Sequence, residues 1–194
     1  KLPDMDPEIL SKLVFCFEND PERNDGIVSG AQDAIGICIP GLCRHYYNNR
    51  FWPEKFERCD DESILSWLEE HLCMIAMEPR RPGCSVVEGK DITEVKVKAL
   101  AQAADDCWQA IMAKDYEAFS RAYKASFDAQ VSMFPAMIQG CVQGYIDKYS
   151  ALPDVKAWKM PGAGGGGYLA LVVDDVKKFA EAHPETITLT IRRK

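Results

Sequence analysis

The run Pro161-Gly162-Ala163-Gly164-Gly165-Gly166-Gly167 restricts this chain more than any other segment. Four consecutive glycines contribute no side-chain packing and cost conformational entropy. A compact domain keeps them where the backbone must take positive φ or come close to another surface. Apolar segments that read as strands bracket the run, Val155-Lys156-Ala157-Trp158-Lys159-Met160 before it and Tyr168-Leu169-Ala170-Leu171-Val172-Val173 after it. It is not a phosphate-binding P-loop, because no Gly-Lys-Ser/Thr follows and the next element is a strand rather than a helix. A strand in that place also breaks the dinucleotide fingerprint. Two readings remain, a backbone brought close to a ligand or another chain segment, and a tight hairpin, for which one or two glycines would be enough.

The remaining pattern predicts an α+β chain. Asp6-Pro7-Glu8 reads as a cap, a first-turn proline and an acidic first turn, with Ile9, Leu10, Leu13, Val14 and Phe17 at helical spacing as far as Asn19-Asp20-Pro21. Asn24-Asp25-Gly26 reads as a turn. A short helix with Ala34, Ile35 and Cys38 follows Ser29-Gly30-Ala31-Gln32-Asp33 and ends at Pro40-Gly41. The aromatics of 42–58 suggest paired strands. Asp60-Asp61-Glu62-Ser63 caps a helix carrying Ile64, Leu65 and Leu68, and 72–77 reads as a buried strand closed by Pro79 and Pro82-Gly83. Three amphipathic helices come next. Their apolar stripes are Val97, Leu100, Ala101, Ala104, Trp108, Ile111, Met112; then Tyr116, Phe119, Tyr123, Phe127; then Met137, Ile138, Cys141, Val142, Tyr145, Ile146, Tyr149. These read as core. A helix over 174–182 and an alternating strand over 186–191 follow the glycine run, giving a sheet with helices on one face.

Composition narrows the function. With 23 basic and 30 acidic residues the formal charge is −7, which disfavours nucleic acid or anionic lipid as partners through a broad basic surface, though not a local phosphate pocket. No apolar run approaches the ~20 residues of a membrane span, and Lys1-Leu2-Pro3-Asp4-Met5-Asp6 lacks the apolar core of a signal peptide, so the expected location is cytoplasmic. Eight cysteines include no CxxC pair, and several lie in apolar runs such as Leu13-Val14-Phe15-Cys16-Phe17, so reduced, mostly buried thiols are expected. His45, His71 and His183 stand at no ligand spacing from Cys or Glu, so no structural zinc site is expected. The candidate for chemistry is Asp33. An acid in a first helical turn is kept ionised by the helix dipole and backbone N–H groups, and Gly30 and Gly36 leave room for a substrate beside it. The same residue could equally be a helix cap.

The glycine run followed by Tyr168 and an apolar strand resembles the third, C-terminal motif of the GHMP kinases, the ATP-dependent small-molecule kinases that include galactokinase, homoserine kinase, mevalonate kinase and phosphomevalonate kinase. Gly30-Ala31-Gln32-Asp33 resembles the segment that holds the catalytic Asp in the sugar kinases of that family. The longer pattern Gln32-Asp33-x-x-Gly36-x-x-x-Pro40-Gly41 is similar to L-fucokinase-like and heptose-kinase-like members. The two motifs stand in the family's order, separated by a strand and three helices. The resemblance implies a GHMP-kinase C-terminal-like domain over 59–194, an antiparallel sheet with helices on one face, preceded over 1–58 by the last part of a ribosomal-S5-like kinase domain. It further implies Asp33 as the catalytic residue, Gln32, Gly30 and Gly36 at the sugar substrate, and ATP with Mg2+ as cofactors. Gly162, Ala163, Gly164, Gly165, Gly166 and Gly167 would support the phosphate-binding loop across a cleft. A loop that faces a cleft should lose phosphoryl transfer before stability when alanine replaces its glycines.

The chain departs from the family in one large respect. The Pro-x-x-x-Gly-Leu-Gly-Ser-Ser-Ala phosphate loop, with the Ser and Glu that hold magnesium, is not in these 194 residues. The expectation is a fragment, a truncated product or half of a split enzyme, inactive alone, whose metal ligands come mostly from a missing N-terminal segment or a partner chain. Met74-Ile75-Ala76-Met77-Glu78-Pro79-Arg80-Arg81 also differs from the Tyr-Thr-Gly-x-x-Arg of many sugar kinases, which leaves the sugar open. The reading from another class is a non-catalytic ligand-binding or regulatory module that kept the fold and lost the nucleotide site.

Overall fold

Proline at a helix start gives up an N–H that has no intrahelical partner, and the Asp6 carboxylate ahead of Pro7 accepts from the amides of Glu8 and Ile9 at 3.0 Å each. Helix α1 (Pro7–Glu18) begins there. The computed structural model describes residues 4–22, 28–83 and 85–193, so the expected turn at Asn24-Asp25-Gly26, and Cys84, lie outside the described residues. The chain divides into two units, Lys1–Leu65 with Ile191–Lys194, and Ser66–Thr190. The last four residues thus belong to the first unit.

In the first unit α1 packs on α2 (Gln32–Cys38), and Ala31, Ile35 and Ile39 form a small core with Phe15, Cys43, Trp52 and Phe56 around it. The strands expected among the aromatics are β1 (Leu42–Tyr46) and β2 (Lys55–Cys59), antiparallel with Leu42 opposite Cys59. Gly41 has φ +86°, and a Cβ there would stand 2.5 Å from the Cys59 carbonyl oxygen, so this turn requires glycine. The Gly41 amide donates to the Arg192 carbonyl at 2.9 Å, and the Arg193 guanidinium grips Glu62 at 2.9 and 2.7 Å. The predicted apolar stripe of α1 needs correction. Leu10 is buried, but Ile9, Leu13 and Phe17 are 55, 53 and 60% exposed, and Cys16 is exposed too. Within this unit α1 rests on one neighbouring helix, so it covers the narrow line Leu10, Ser11, Val14, Phe15 and leaves the rest of its apolar surface open.

Helix α3 (Glu62–His71), whose first amides are taken by the Asp61 carboxylate, leads directly into β3 (Leu72–Ala76) of the second unit. Helices α4 (Glu94–Ala113) and α5 (Tyr116–Met133) form an antiparallel hairpin, with Lys114 left-handed at the end of α4 and Asp115 capping α5. Then come α6 (Val142–Ser150), β4 (Val155–Lys159), β5 (Tyr168–Val173), α7 (Val176–Ala182) and β6 (Thr186–Thr188). The sheet order is β4-β5-β3-β6, antiparallel throughout. Strand alternation turns Cys73, Ile75, Leu169, Leu171 and Val173 to one face, where they pack with Phe127, Val142, Ile146, Tyr149, Val176 and Phe179 of the helices.

Three further expectations change. The buried side of α4 is Leu100, Ala103, Cys107, Ala110 and Ile111, whereas Val97, Ala101 and Ala104 are exposed. Trp108 and Met112 are half-buried, like Leu100 and Cys107, and the fully buried Ala103 and Ala110 are small enough to let a neighbouring helix come close. The third helix does not run unbroken from Met137. A 3-10 turn (Pro135–Ile138) and Gly140 at φ +64° precede α6. The last strand stops at Thr188 instead of 191, because its partner β3 begins at Leu72 and the chain before that is helical.

Candidate functional site

The glycine segment is a wide connection between β4 and β5 whose shape depends on positive φ: +77° at Gly162, +81° at Gly164, +78° at Gly165, +145° at Gly166 and +95° at Gly167. A residue with a Cβ is strained in most of these conformations. The loop is also pressed against its own unit. The Gly165 amide donates to the Met137 carbonyl at 2.8 Å, the Gly167 amide to the Glu78 carbonyl at 3.0 Å, and the Met77 amide to the Gly167 carbonyl at 2.8 Å. Arg80 Nε donates to the Gly164 carbonyl at 3.1 Å, and Gln130 Nε2 to the Gly162 carbonyl at 3.3 Å. A Cβ on Gly166 would meet the Glu78 oxygen at 2.6 Å and the Arg80 nitrogen at 2.7 Å, and one on Gly164 would meet Met137 Cβ at 2.9 Å. Of the two initial readings, the close approach of another chain segment therefore holds. The approach is to residues 78–80 and 137, so the middle of the loop faces packed protein, and alanine there must cost stability as well as any activity.

Beside the loop lies a cavity of about 320 Å3 lined by Glu78, Arg80, Arg81, Gly140, Cys141 and Gly165. The Glu78 carboxyl is held below its ordinary value, first by the hydrogen bond from the Cys141 thiol, and the same bond raises the Cys141 thiol. Two guanidinium groups and an ionised carboxylate thus stand at the mouth of a glycine-walled recess. The sequence marks Met137 only as helix core and Glu78 only within the segment that departs from the sugar kinases, and it does not mark Gln130, since nothing local identifies a residue that receives a loop from far along the chain. A larger cavity of about 660 Å3, lined by Glu69, Glu70, His71, Asp174, Asp175 and Thr188 among others, contains none of the residues singled out for chemistry.

In the first unit Gly30, Gln32, Asp33 and Gly36 stand together at and along α2. Ala34, Ile35 and Cys38 are buried, while Gln32, Asp33 and Gly36 are exposed. The residue at the cap position is Ala31, with no side-chain bond. Among the described residues the Asp33 carboxylate makes no hydrogen bond or ion pair, so the helix-cap reading of Asp33 is set aside. Gly36 would admit a Cβ without contact, and a Cβ on Gly30 would meet only the flexible Gln32 carboxamide, so neither glycine is required by packing. The described residues include no cluster of three or more His, Cys, Asp or Glu side chains able to hold a metal, and no helix long and apolar enough to cross a membrane.

No family model matches the sequence, and no curated protein matches it. Solved structures do. A Campylobacter jejuni protein named as a sugar kinase superposes on 98% of this chain with a TM-score of 0.64 at 19% identity. A D-glycero-D-manno-heptose 1-phosphate kinase from Bacteroides thetaiotaomicron superposes on 99% with a TM-score of 0.63 at 15% identity. This is the GHMP-kinase fold. A mevalonate kinase shares it, with a TM-score of 0.57 over 98% of the chain at 14% identity. So does the complex of MDDEF with MVAPP, AMPPCP and magnesium, with a TM-score of 0.53 over 94% at 12% identity. The chain spans 57, 55, 59 and 55% of these four structures, in that order. The α+β reading and the GHMP likeness drawn from two short motifs thus agree with neighbours found by shape alone.

Proposed function

We propose that this chain belongs to an ATP-dependent sugar kinase of the GHMP type that transfers the γ-phosphoryl group of ATP to a sugar hydroxyl. The observation that carries the reading is the superposition of 98% of the chain on a protein named as a sugar kinase, with the Gln-Asp and glycine motifs in the order the family uses. Asp33 suits the acceptor side. Its carboxylate is exposed and uncommitted, on a helix face that it shares with Gln32 and Gly36. There it would orient the sugar hydroxyl and accept its proton as the new O–P bond forms and the bond from the γ-phosphorus to the ADP oxygen breaks. Phosphoryl transfer asks for positioning and charge neutralisation more than for covalent chemistry.

The glycine loop suits a supporting role. The amides of Gly165 and Gly167 are already given to Met137 and Glu78, so the loop offers a rigid backbone wall rather than a full set of phosphate donors. Residues 1–58 would be the last part of an S5-like kinase domain and 59–194 the C-terminal domain. The phosphate-binding loop and the magnesium ligands would come from residues outside these 194, on the same or a partner chain. Among the described residues no group of three or more His, Cys, Asp or Glu side chains would hold that metal. The test is a phosphoryl-transfer screen of the full-length protein with Mg-ATP against fucose, galactose, arabinose and heptose phosphates. Turnover of one of them that is lost in Asp33→Asn supports the proposal. Sugar binding without turnover would instead favour a ligand-binding module.

A further inference from the structure

Lys159 ends β4 three residues before Gly162, half-buried, and its ammonium group is satisfied in an unusual way. Nζ donates to Gln130 Oε1 at 2.6 Å and to Ser126 Oγ at 3.2 Å, both on α5 and one helical turn apart. Among the described residues it has no carboxylate partner. Asp128 of the same helix is paired with Lys124, which lies over the Trp158 ring at 4.9 Å. A lysine removed from water without a counter-ion is an expense that a fold keeps for a reason.

The reason lies on the far side of Gln130. An ammonium group has three donors and no acceptor, so only the oxygen of the Gln130 amide can face it. The amide NH2 must then point the other way, where it donates to the Gly162 carbonyl at 3.3 Å. The middle and exit of the loop are held by backbone bonds to Met137, Glu78 and Met77 and by Arg80. The entry is not held by sterics, because a Cβ on Gly162 would touch nothing within 4 Å. We propose that Lys159 is a positioning residue that, by orienting Gln130, fixes the Gly162 carbonyl and with it the entry of the glycine loop. Its relevance to phosphoryl transfer rests on the functional reading above, but the relay itself is a property of this chain. Burial brings the Lys159 ammonium down to about 8, opposed by the Cys107 thiol of α4, itself pushed up to about 11. The group is thus mostly protonated, and able to orient Gln130, at neutral pH.

The experiment needs no nucleotide, so its outcome is independent of whether the sugar-kinase reading stands. Labelling the full chain with 13C-carbonyl glycine and 15N alanine selects Gly-Ala peptide bonds, and the sequence has two, Gly30-Ala31 and Gly162-Ala163. Lys159→Met should shift the Gly162-Ala163 cross-peak, because the Gly162 carbonyl loses the fixed donor that polarises this peptide bond. The Gly30-Ala31 cross-peak should stay in place as the internal control. Lys159→Arg, which keeps a cationic donor, should restore the wild-type position. Gln130→Glu keeps an acceptor for Lys159 but removes the donor to Gly162, so it should shift the same cross-peak, and it decides the matter if Lys159→Met fails to fold. A Gly162-Ala163 cross-peak that is unmoved in Lys159→Met, or unmoved in Gln130→Glu, overturns the proposal.

Discussion

Gly166 and Gly167 are chemically identical neighbours that the structure treats very differently. At Gly166 φ is +145°, a region that glycine alone occupies freely, and an added Cβ would lie 2.6 Å from the Glu78 oxygen, 2.7 Å from the Arg80 nitrogen and 3.0 Å from the Pro79 carbonyl carbon. All three are backbone atoms, which no side-chain rotation can clear. Strained φ costs roughly 1–3 kcal/mol, and forcing an extra carbon into packed protein adds about 1–3 kcal/mol, so Gly166→Ala should lose about 2–6 kcal/mol. At Gly167 φ is +95° and a Cβ would touch nothing within 4 Å. Gly167→Ala therefore carries only the conformational term, about 1–2 kcal/mol. The difference of about 1–4 kcal/mol corresponds to about 2–16 °C in Tm for a chain of this size. Urea unfolding followed by tryptophan fluorescence, with Tm by calorimetry, measures it. Equal destabilisation by the two alanines would refute the packing of Gly166 under residues 78–80, and a stable Gly166→Ala with impaired phosphoryl transfer would return the loop to an open cleft.

Asp33→Asn should change stability by less than about 0.5 kcal/mol, as at an ordinary surface position, while lowering kcat of the active full-length enzyme by about 10²–10⁴ if the carboxylate takes the hydroxyl proton; steady-state kinetics and a melting curve on the same samples check both halves. Lys159 has its pKa depressed from 10.5 to about 8 in the folded chain, so the unfolded chain binds more protons between those values and stability must rise with pH across that window. Relative to Lys159→Met, the wild type should therefore gain about 1–3 kcal/mol between pH 8 and 10.5, the lower end reflecting partial solvent screening, and nothing below pH 8; an offset that stays flat over pH 7–10.5 contradicts the burial of its charge. Glu185 is held at about 2, first by the Tyr149 phenol that donates to it at 2.7 Å. Its contribution is present above pH 4.5 and lost as pH falls toward 2, so the stability advantage of wild type over Tyr149→Phe should shrink across that range in acid titrations followed by circular dichroism. Among the described cysteines, brief alkylation of the native protein should label Cys16, which is exposed, ahead of buried Cys38, Cys59 and Cys73 by peptide mass mapping; labelling of all at one rate would contradict the packing.

Much of the architecture was legible because it is written in short-range chemistry. Asp6-Pro7 and Asp61 mark helix starts by the bonds their side chains make to nearby amides. The apolar runs 72–77 and 168–173 read as strands and form β3 and β5, the second buried without a break from Leu169 to Val173. The glycine run called for positive φ, and five of its glycines have it. Two motifs were also enough to suggest a fold that neighbours at 12–19% identity share.

What meets what was decided by tertiary structure. Residues 78–80 come against Gly166 from more than eighty residues away, so no local pattern could show that the loop's glycines are demanded by a neighbouring backbone. On α4 the structure buries Ala103 and Ala110 and exposes Val97, Ala101 and Ala104, a choice among small residues that hydropathy alone does not make. Asp33 reads as either a cap or a functional acid until the helix start is seen to leave its carboxylate unbonded. Periodicity and capping act over one or two helical turns and so determine which elements form, while the partner of a buried surface depends on contacts between distant parts of the chain, which exist only once the sheet has brought β5 beside β3.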